Sequence, residues 1–184
     1  MSLLLEGRGL ALVRGHRLLF EGVELSLTPG EALHVTGPNG CGKSSLIRLV
    51  AGLLRPSAGT IDRAEAALAD ENLALDREQA LGKALAFWGG PKLGEALEAF
   101  DLLPLADVPV RMLSTGQSRR ARLARVMASV APLWLLDEPL NGLDAAGAKQ
   151  LAKAIADHRA GGGAVLAASH MPLGDKWRTL ELAS

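Results

Sequence analysis

Apolar and polar positions alternate along the first part of the chain, as expected of strands that bury one face. The alternation runs through residues 10–12 and 23–27. The turn sequence Thr-Pro-Gly at 28–30 then precedes an apolar stretch at 32–35. This pattern predicts antiparallel strands that lead into a central strand.

The apolar spacing changes to that of a helix after the central strand and keeps it until Pro56. Residues 61–112 are rich in Ala, Leu and Glu and carry two short apolar stripes, so we expect a small helical insertion there. Core packing is the expected role of its large aromatic residues, Phe87, Trp88 and Phe100.

The last third of the chain alternates between helices and continuous apolar strands. A helix is predicted after Ser114, a buried strand over 133–137, a helix over 145–160 and a further strand over 164–169. Strands that alternate with helices predict an α/β fold with a mainly parallel sheet, here with an N-terminal antiparallel β subdomain.

Composition narrows the class of protein. With 184 residues and 48% hydrophobic content, we expect a single domain, 1–184, with a helical subdomain at about 61–131.

No apolar run approaches the roughly 18 residues of a membrane span, and the N-terminus does not resemble a signal peptide, so we expect a cytosolic location. The single cysteine, Cys41, excludes an internal disulfide, and a formal net charge of +0 gives no overall reason to bind nucleic acid.

A glycine-rich loop, GPNGCGKSS, directly follows the central strand. It fits the pattern G-x-x-x-x-G-K-[ST], in which main-chain N–H groups surround nucleotide phosphates. We expect Lys43 to reach the β- and γ-phosphates and Ser44 to offer its hydroxyl to Mg²⁺. The loop therefore predicts nucleotide binding, with Cys41 as a tolerated small side chain. The candidate binding residues are Gly37, Pro38, Asn39, Gly40, Cys41, Gly42, Lys43, Ser44 and Ser45.

Two neighbouring carboxylates end the strand LWLLD. Asp137 lies where ligands of α/β sheets gather, and a cation bridging the phosphates would compensate its charge, so it is the candidate Mg²⁺ residue. We expect Glu138 to point the other way and to orient the water that attacks the γ-phosphate, or to accept its proton.

Three further motifs follow in order: LSTGQ at 113–117, NGLD at 141–144 and Ser-His at 169–170. With the loop and the carboxylate strand, they resemble the nucleotide-binding subunit of an ABC transporter nearly end to end. The resemblance implies a P-loop NTPase core that binds ATP and Mg²⁺, hydrolyses ATP and drives an integral membrane subunit. It also implies that this chain is peripheral, on the cytoplasmic side of the bacterial inner membrane.

The same resemblance implies that two copies face head to tail around two ATP molecules. Signature residues Ser114, Gly116 and Gln117 of one copy would cap the ATP bound by the other. His170 would contact the γ-phosphate, and Asp144 would link the copies.

Within the family the chain is most similar to the haem-exporter-type ATPase subunits of bacterial cytochrome c maturation. The similarity rests on the short length, the opening GRGLALVRGHRLLFEGVELSLTPGE, the stretch LSTGQSRRARLAR and WLLDEPLNGLD. ATPases of lipoprotein-release and multidrug type share the core motifs and are the alternatives.

The chain departs from the family at two places. Where the family stacks adenine on an aromatic ring, this sequence has Arg14, whose guanidinium can lie on a base through a cation–π contact. In place of the glutamine that ligates Mg²⁺ there is only Asp70-Glu71-Asn72, and the nearby Gln79 is expected in a helix.

Two other functions have less support in the sequence. A soluble ABC-type ATPase acting on nucleic acid has the arginines at 119–125 as its only support, and we interpret them as a solvated helix face. A P-loop kinase or GTPase does not explain LSTGQ, and the guanine-reading sequence N-K-x-D is absent.

Overall fold

The computed structural model describes residues 3–72, 75–174 and 176–182. Its strands are β1 (Leu5–Arg14), β2 (Arg17–Leu27), β3 (Ala32–Thr36), β4 (Ala58–Arg63), β5 (Ala66–Ala69), β6 (Leu133–Asp137), β7 (Ala164–Ala168) and β8 (Arg178–Glu181). Its α-helices are α1 (Lys43–Val50), α2 (Leu81–Ala86), α3 (Leu93–Ala99), α4 (Thr115–Ala128) and α5 (Ala145–Ala160).

The described strands form two sheets. The antiparallel sheet has the order β2-β1-β4, and the parallel sheet has the order β5-β6-β7-β3-β8. Every residue of β6 and β7 is buried, because layers cover both faces of these central strands. The predicted α/β class and antiparallel N-terminal strands are confirmed.

Two apolar clusters fill the layers on either side of the parallel sheet. One joins the antiparallel sheet and α1 to the parallel sheet, through residues such as Leu10, Leu46 and Leu166. The other packs α2, α3, α4 and α5 on the opposite face, with Phe100 and Leu136 among its members. Loops that follow the parallel strands therefore meet at one edge, the edge at which ligands of such sheets bind.

The helical stretch begins later than predicted. Residues 58–63 and 66–69 form β4 and β5, which extend the two sheets, and helix starts only at Leu81. Pairing of β5 with β6 supplies its hydrogen bonds, and this long-range partner cannot be recognised from local Ala and Leu content. The prediction of a helical insertion over 61–112 is therefore wrong for residues 61–63 and 66–69, which are strand.

The expectation of core packing holds for one aromatic residue of the three. Phe100 is 1% exposed, whereas Phe87 is 83% and Trp88 40% exposed. The two exposed rings contact each other edge to face, with centroids 5.3 Å apart. Among the described residues, the helices are too short or too polar to span a bilayer.

Candidate nucleotide site

The loop between β3 and α1 curls around the ammonium group of Lys43. Its Nζ donates to the carbonyl oxygens of Gly37 at 2.8 Å and Pro38 at 3.0 Å, and the side chain is buried. Gly42 has φ 110° and caps α1, and a Cβ there would lie 2.9 Å from the Phe20 ring. Glycine is therefore required for both conformation and space.

A cavity of about 550 Å³ opens above this loop. It brings together residues from the first strands, the loop, the end of β5 and the loops after β6 and β7. Those predicted from the sequence are Arg14, Asn39, Gly40, Gly42, Lys43, Ser44, Ser45, Glu138 and His170. Leu19 and Asn141 also line it and were not predicted as site residues. The NGLD motif could have identified Asn141 as a site residue, whereas no sequence pattern marks Leu19.

The side chain of Cys41 lies below the loop rather than in the cavity. It is 2% exposed and belongs to the apolar cluster between α1 and the sheets. A Cβ at Gly37 would stand 2.9 Å from its Sγ, so the thiol fills the space beneath the loop. Cys41 was named among the candidate binding residues of the loop, but its side chain does not line the nucleotide cavity.

Ser44 and Asp137 meet at the floor of the site although they lie far apart in the sequence. The Ser44 hydroxyl donates to Asp137 Oδ1 at 2.9 Å. Burial raises the pKa of the Asp137 carboxyl, and the Ser44 hydroxyl and the charge of Arg48 oppose that rise. A buried carboxylate next to a hydroxyl oxygen fits a hard cation such as Mg²⁺, which would compensate the charge.

Glu138 has left-handed backbone geometry, with φ 48°. Its carboxylate is only 16% exposed and faces the loop after β7, where the main-chain N–H of His170 lies 3.4 Å from Oε2 and the imidazole Nε2 lies 3.3 Å from Oε1. A left-handed non-glycine residue is uncommon and occurs often at functional sites. The carboxylate thus has the position of a base that could orient water in the cavity.

The signature residues lie in a separate cavity of about 220 Å³. Ser114 caps α4: its Oγ accepts from the N–H of Gln117 at 3.2 Å, and its own N–H donates to Gln117 Oε1 at 2.8 Å. Gly116 and Asp144 line the same cavity. Asp144 Oδ1 accepts from the N–H of Gly147 at 2.7 Å and so caps α5. One chain therefore presents the loop cavity and the signature residues at different places.

The arginines of α4 are not a solvated face, so that interpretation is wrong. Each of the four donates to a main-chain carbonyl oxygen elsewhere in the fold, and burial lowers the pKa of both Arg122 and Arg125. The donor and acceptor pairs are Arg119 with Gly142, Arg120 with Phe100, Arg122 with Asp70 and Arg125 with Leu68.

The segment Asp70-Glu71-Asn72 follows β5 and reaches the cavity edge. Asp70 is buried and accepts from the N–H of Asn72 at 3.0 Å, whereas Glu71 is exposed and lines the nucleotide cavity. Gln79 lies before α2 rather than in a helix and donates to Asp76 at 2.9 Å. Glu71 is thus the residue of this segment that faces the site.

The ABC transporter family matches residues 20–141. The chain belongs to the ABC transporter family, as an ATP-binding subunit. The fold is also that of a solved ATP-binding subunit of an ABC transporter, with a TM-score of 0.87 and 22% identity over 97% of this chain and 85% of that one. The ATP-binding cassette MJ0796, solved as a dimer bound to ADP and Pi, matches with a TM-score of 0.81 and 20% identity over 97% of this chain and 94% of that one.

Among its relatives are proteins named cytochrome c biogenesis ATP-binding export protein CcmA. That of Sphingopyxis alaskensis is 56% identical over 180 residues, covering 94% of this chain and 93% of the relative. That of Gluconobacter oxydans is 46% identical over 186 residues, covering 98% of this chain and 88% of the relative. The chain is a CcmA-like ABC ATPase, which confirms the resemblance predicted from its motifs.

Proposed function

We propose that this chain hydrolyses ATP for a haem-exporter-type complex of cytochrome c maturation. Two copies would close around two Mg-ATP on the cytoplasmic side of the bacterial inner membrane and drive an integral membrane subunit. Residues 1–184 would form a single ATP-binding domain, with the helical subdomain between β5 and β6. The CcmA relatives support the choice of complex.

The hydrogen bond between Ser44 and Asp137 is the observation that carries the proposal. It joins the loop that would hold the phosphates to the strand that would hold the cation. Mg²⁺ bound by these oxygens would supply positive charge at the β- and γ-phosphates. Lys43 would exchange its two carbonyl acceptors for phosphate oxygens, while Arg14 at the cavity rim would lie against adenine.

The hydrolytic step would use Glu138 against the water that attacks the γ-phosphate. Its carboxylate would orient this water and accept its proton, and His170 would hold the carboxylate and contact the phosphate. Since the attack needs an in-line water, the placement of Glu138 matters for turnover in addition to its basicity.

The separation of the loop and signature cavities supports a second copy. Ser114, Gly116 and Gln117 begin a helix, whose N–H groups and positive end suit an anion, yet they line a different cavity from the phosphate loop. The γ-phosphate bound by one copy would complete the signature site of the other, with Asp144 at the junction. Loss of that phosphate would open the dimer.

The exposed pair Phe87 and Trp88 supports a docking surface for the membrane subunit. Both rings lie between α2 and α3 and contact each other. Exposed aromatic side chains of this size are typical of interaction surfaces. A cytosolic helix of the membrane subunit is the proposed occupant, since an apolar helix face fits such a patch.

The experiment compares wild-type protein with Glu138→Gln and measures ATP turnover, Mg-ATP binding and size by chromatography. Glu138→Gln should bind Mg-ATP normally, hydrolyse it at least about a hundredfold more slowly and elute as a dimer with ATP. Wild-type protein without nucleotide should elute as a monomer. Near-normal turnover by the variant would remove Glu138 from the role, and absence of ATP-dependent association would reject the paired site.

A further inference from the structure

The signature helix α4 holds the end of strand β5 through two arginines. Arg125 Nη2 donates to the carbonyl oxygen of Leu68 at 2.5 Å, and Arg122 Nη1 donates to that of Asp70. Glu71 is the next residue along the chain. The guanidinium groups therefore fix the backbone immediately before the acidic residue that faces the nucleotide cavity.

Asp70 has a buried carboxylate that interacts electrostatically with three arginines. It is 9% exposed, and its Oδ2 lies 3.9 Å from Arg48 Nη2 on α1. Its charge also acts on Arg122 and Arg125, where it opposes the fall in pKa that burial causes. A buried carboxylate needs such compensation, because removing a partner leaves its desolvation uncompensated.

Glu71 borders two connected parts of the site. It lines the nucleotide cavity, and it lines an adjoining cavity of about 330 Å³ together with Arg122 and Asp137. The negative charge of Glu71, like that of Asp70, opposes the lowering of the Arg122 pKa by burial. Without the arginine, the Glu71 carboxylate at the cavity and the neighbouring buried Asp70 carboxylate would both have less compensation for their charge.

We propose that Arg122 is a positioning residue for the nucleotide site, acting through Glu71. It holds the Asp70 carbonyl oxygen, offsets the negative charge of the acidic pair and so keeps Glu71 in the place from which it reaches bound Mg-ATP. The inference rests on the proposed function, since it concerns the same ATP site.

A double-mutant cycle in steady-state ATP hydrolysis tests this role. Arg122→Met should lower kcat/KM about tenfold in the wild-type background and at most about twofold in the Glu71→Gln background. Arg122→Lys, which keeps the charge and a donor, should retain most activity. Arg122→Gln, which keeps donors and loses the charge, serves the same cycle if the methionine variant does not fold.

The matched control is Arg63→Gln, which should leave kcat and KM unchanged. Arg63 also donates to main-chain carbonyl oxygens, those of Ala51 and Ala64, but lines neither cavity. Equal losses from the Arg122 change in both backgrounds would show a general structural role and overturn the proposal. No loss in either background would overturn it as well. If the wild-type enzyme hydrolyses ATP, either of these two outcomes overturns only the role of Arg122 and leaves the proposed function intact. A wild-type enzyme without ATPase activity would reject both the role of Arg122 and the proposed function.

Discussion

The imidazole of His170 and the carboxylate of Glu138 form a pair across the ends of β7 and β6, with His170 Nε2 3.3 Å from Glu138 Oε1. The main-chain N–H of His170 lies 3.4 Å from the other carboxylate oxygen. One residue therefore faces both oxygens of the candidate base. This arrangement restricts the carboxylate to few orientations.

Replacing His170 should reduce turnover more than nucleotide binding. In His170→Ala the main-chain contact remains but the imidazole contact is lost, so Glu138 becomes less well oriented. We expect kcat to fall tenfold or more, within the roughly hundredfold range of small misplacements of catalytic groups. The measurement is kcat with Mg-ATP affinity, and Met171→Ala, an exposed neighbour, is the control. Unchanged kcat would show that the pair has no part in hydrolysis.

Removing the ammonium of Lys43 should weaken Mg-ATP binding. Its ammonium group donates to two carbonyl oxygens of the loop, so it lies where phosphate oxygens would bind. Loss of a charge-assisted hydrogen bond predicts at least about a tenfold lower affinity in Lys43→Ala. Calorimetric titration with Mg-ATP would measure it, with Lys83→Ala on the exposed face of α2 as control. Equal affinities would place the nucleotide elsewhere.

Cys41 should react slowly with thiol reagents in the native protein, both with and without Mg-ATP. Its 2% exposure leaves the thiol out of contact with solvent even when the cavity is open. Fast reaction is expected only after unfolding in denaturant. Spectroscopic measurement of thiol modification gives all three rates. Rapid modification of native protein that ATP prevents would instead show that the thiol faces the phosphates.

The stability of the fold should decrease as the pH falls below about 6.5, in part through His158. The ring stacks on Trp134 with centroids 4.0 Å apart at 11°, and burial lowers its pKa from 6.5, although main-chain groups of Ala164 and Pro132 oppose this. The unfolded state then binds the proton more tightly, so stability is complete above the unfolded pKa and is lost on acidification.

The matched variant is His158→Phe, which keeps an aromatic ring against Trp134. Denaturant unfolding at pH 7.5, 6.5 and 5.5 should show a smaller loss of stability in the variant than in the wild type. The other three of the 4 histidines are present in both proteins, so the difference isolates His158. Identical pH dependence would exclude His158 as a source.

The local chemistry of the motifs and the order of the main elements follow from the amino-acid sequence alone. Glycine spacing and Lys43 define the phosphate loop without any knowledge of distant contacts, and the continuous apolar run before Asp137 predicts a buried strand. The helix over 145–160 was also predicted, because its apolar spacing and the glycines that end it are local signals.

Which side chains face the site depends instead on contacts between residues that are distant in the sequence. Cys41 lies inside the phosphate-loop motif yet packs into the core, and Glu71 rather than Asp70 lines the cavity. The arginines of α4 looked like a solvated face because their acceptors are carbonyl oxygens distant in sequence. Main-chain acceptors are the same for every residue type, so only the folded chain reveals which of them a side chain will reach.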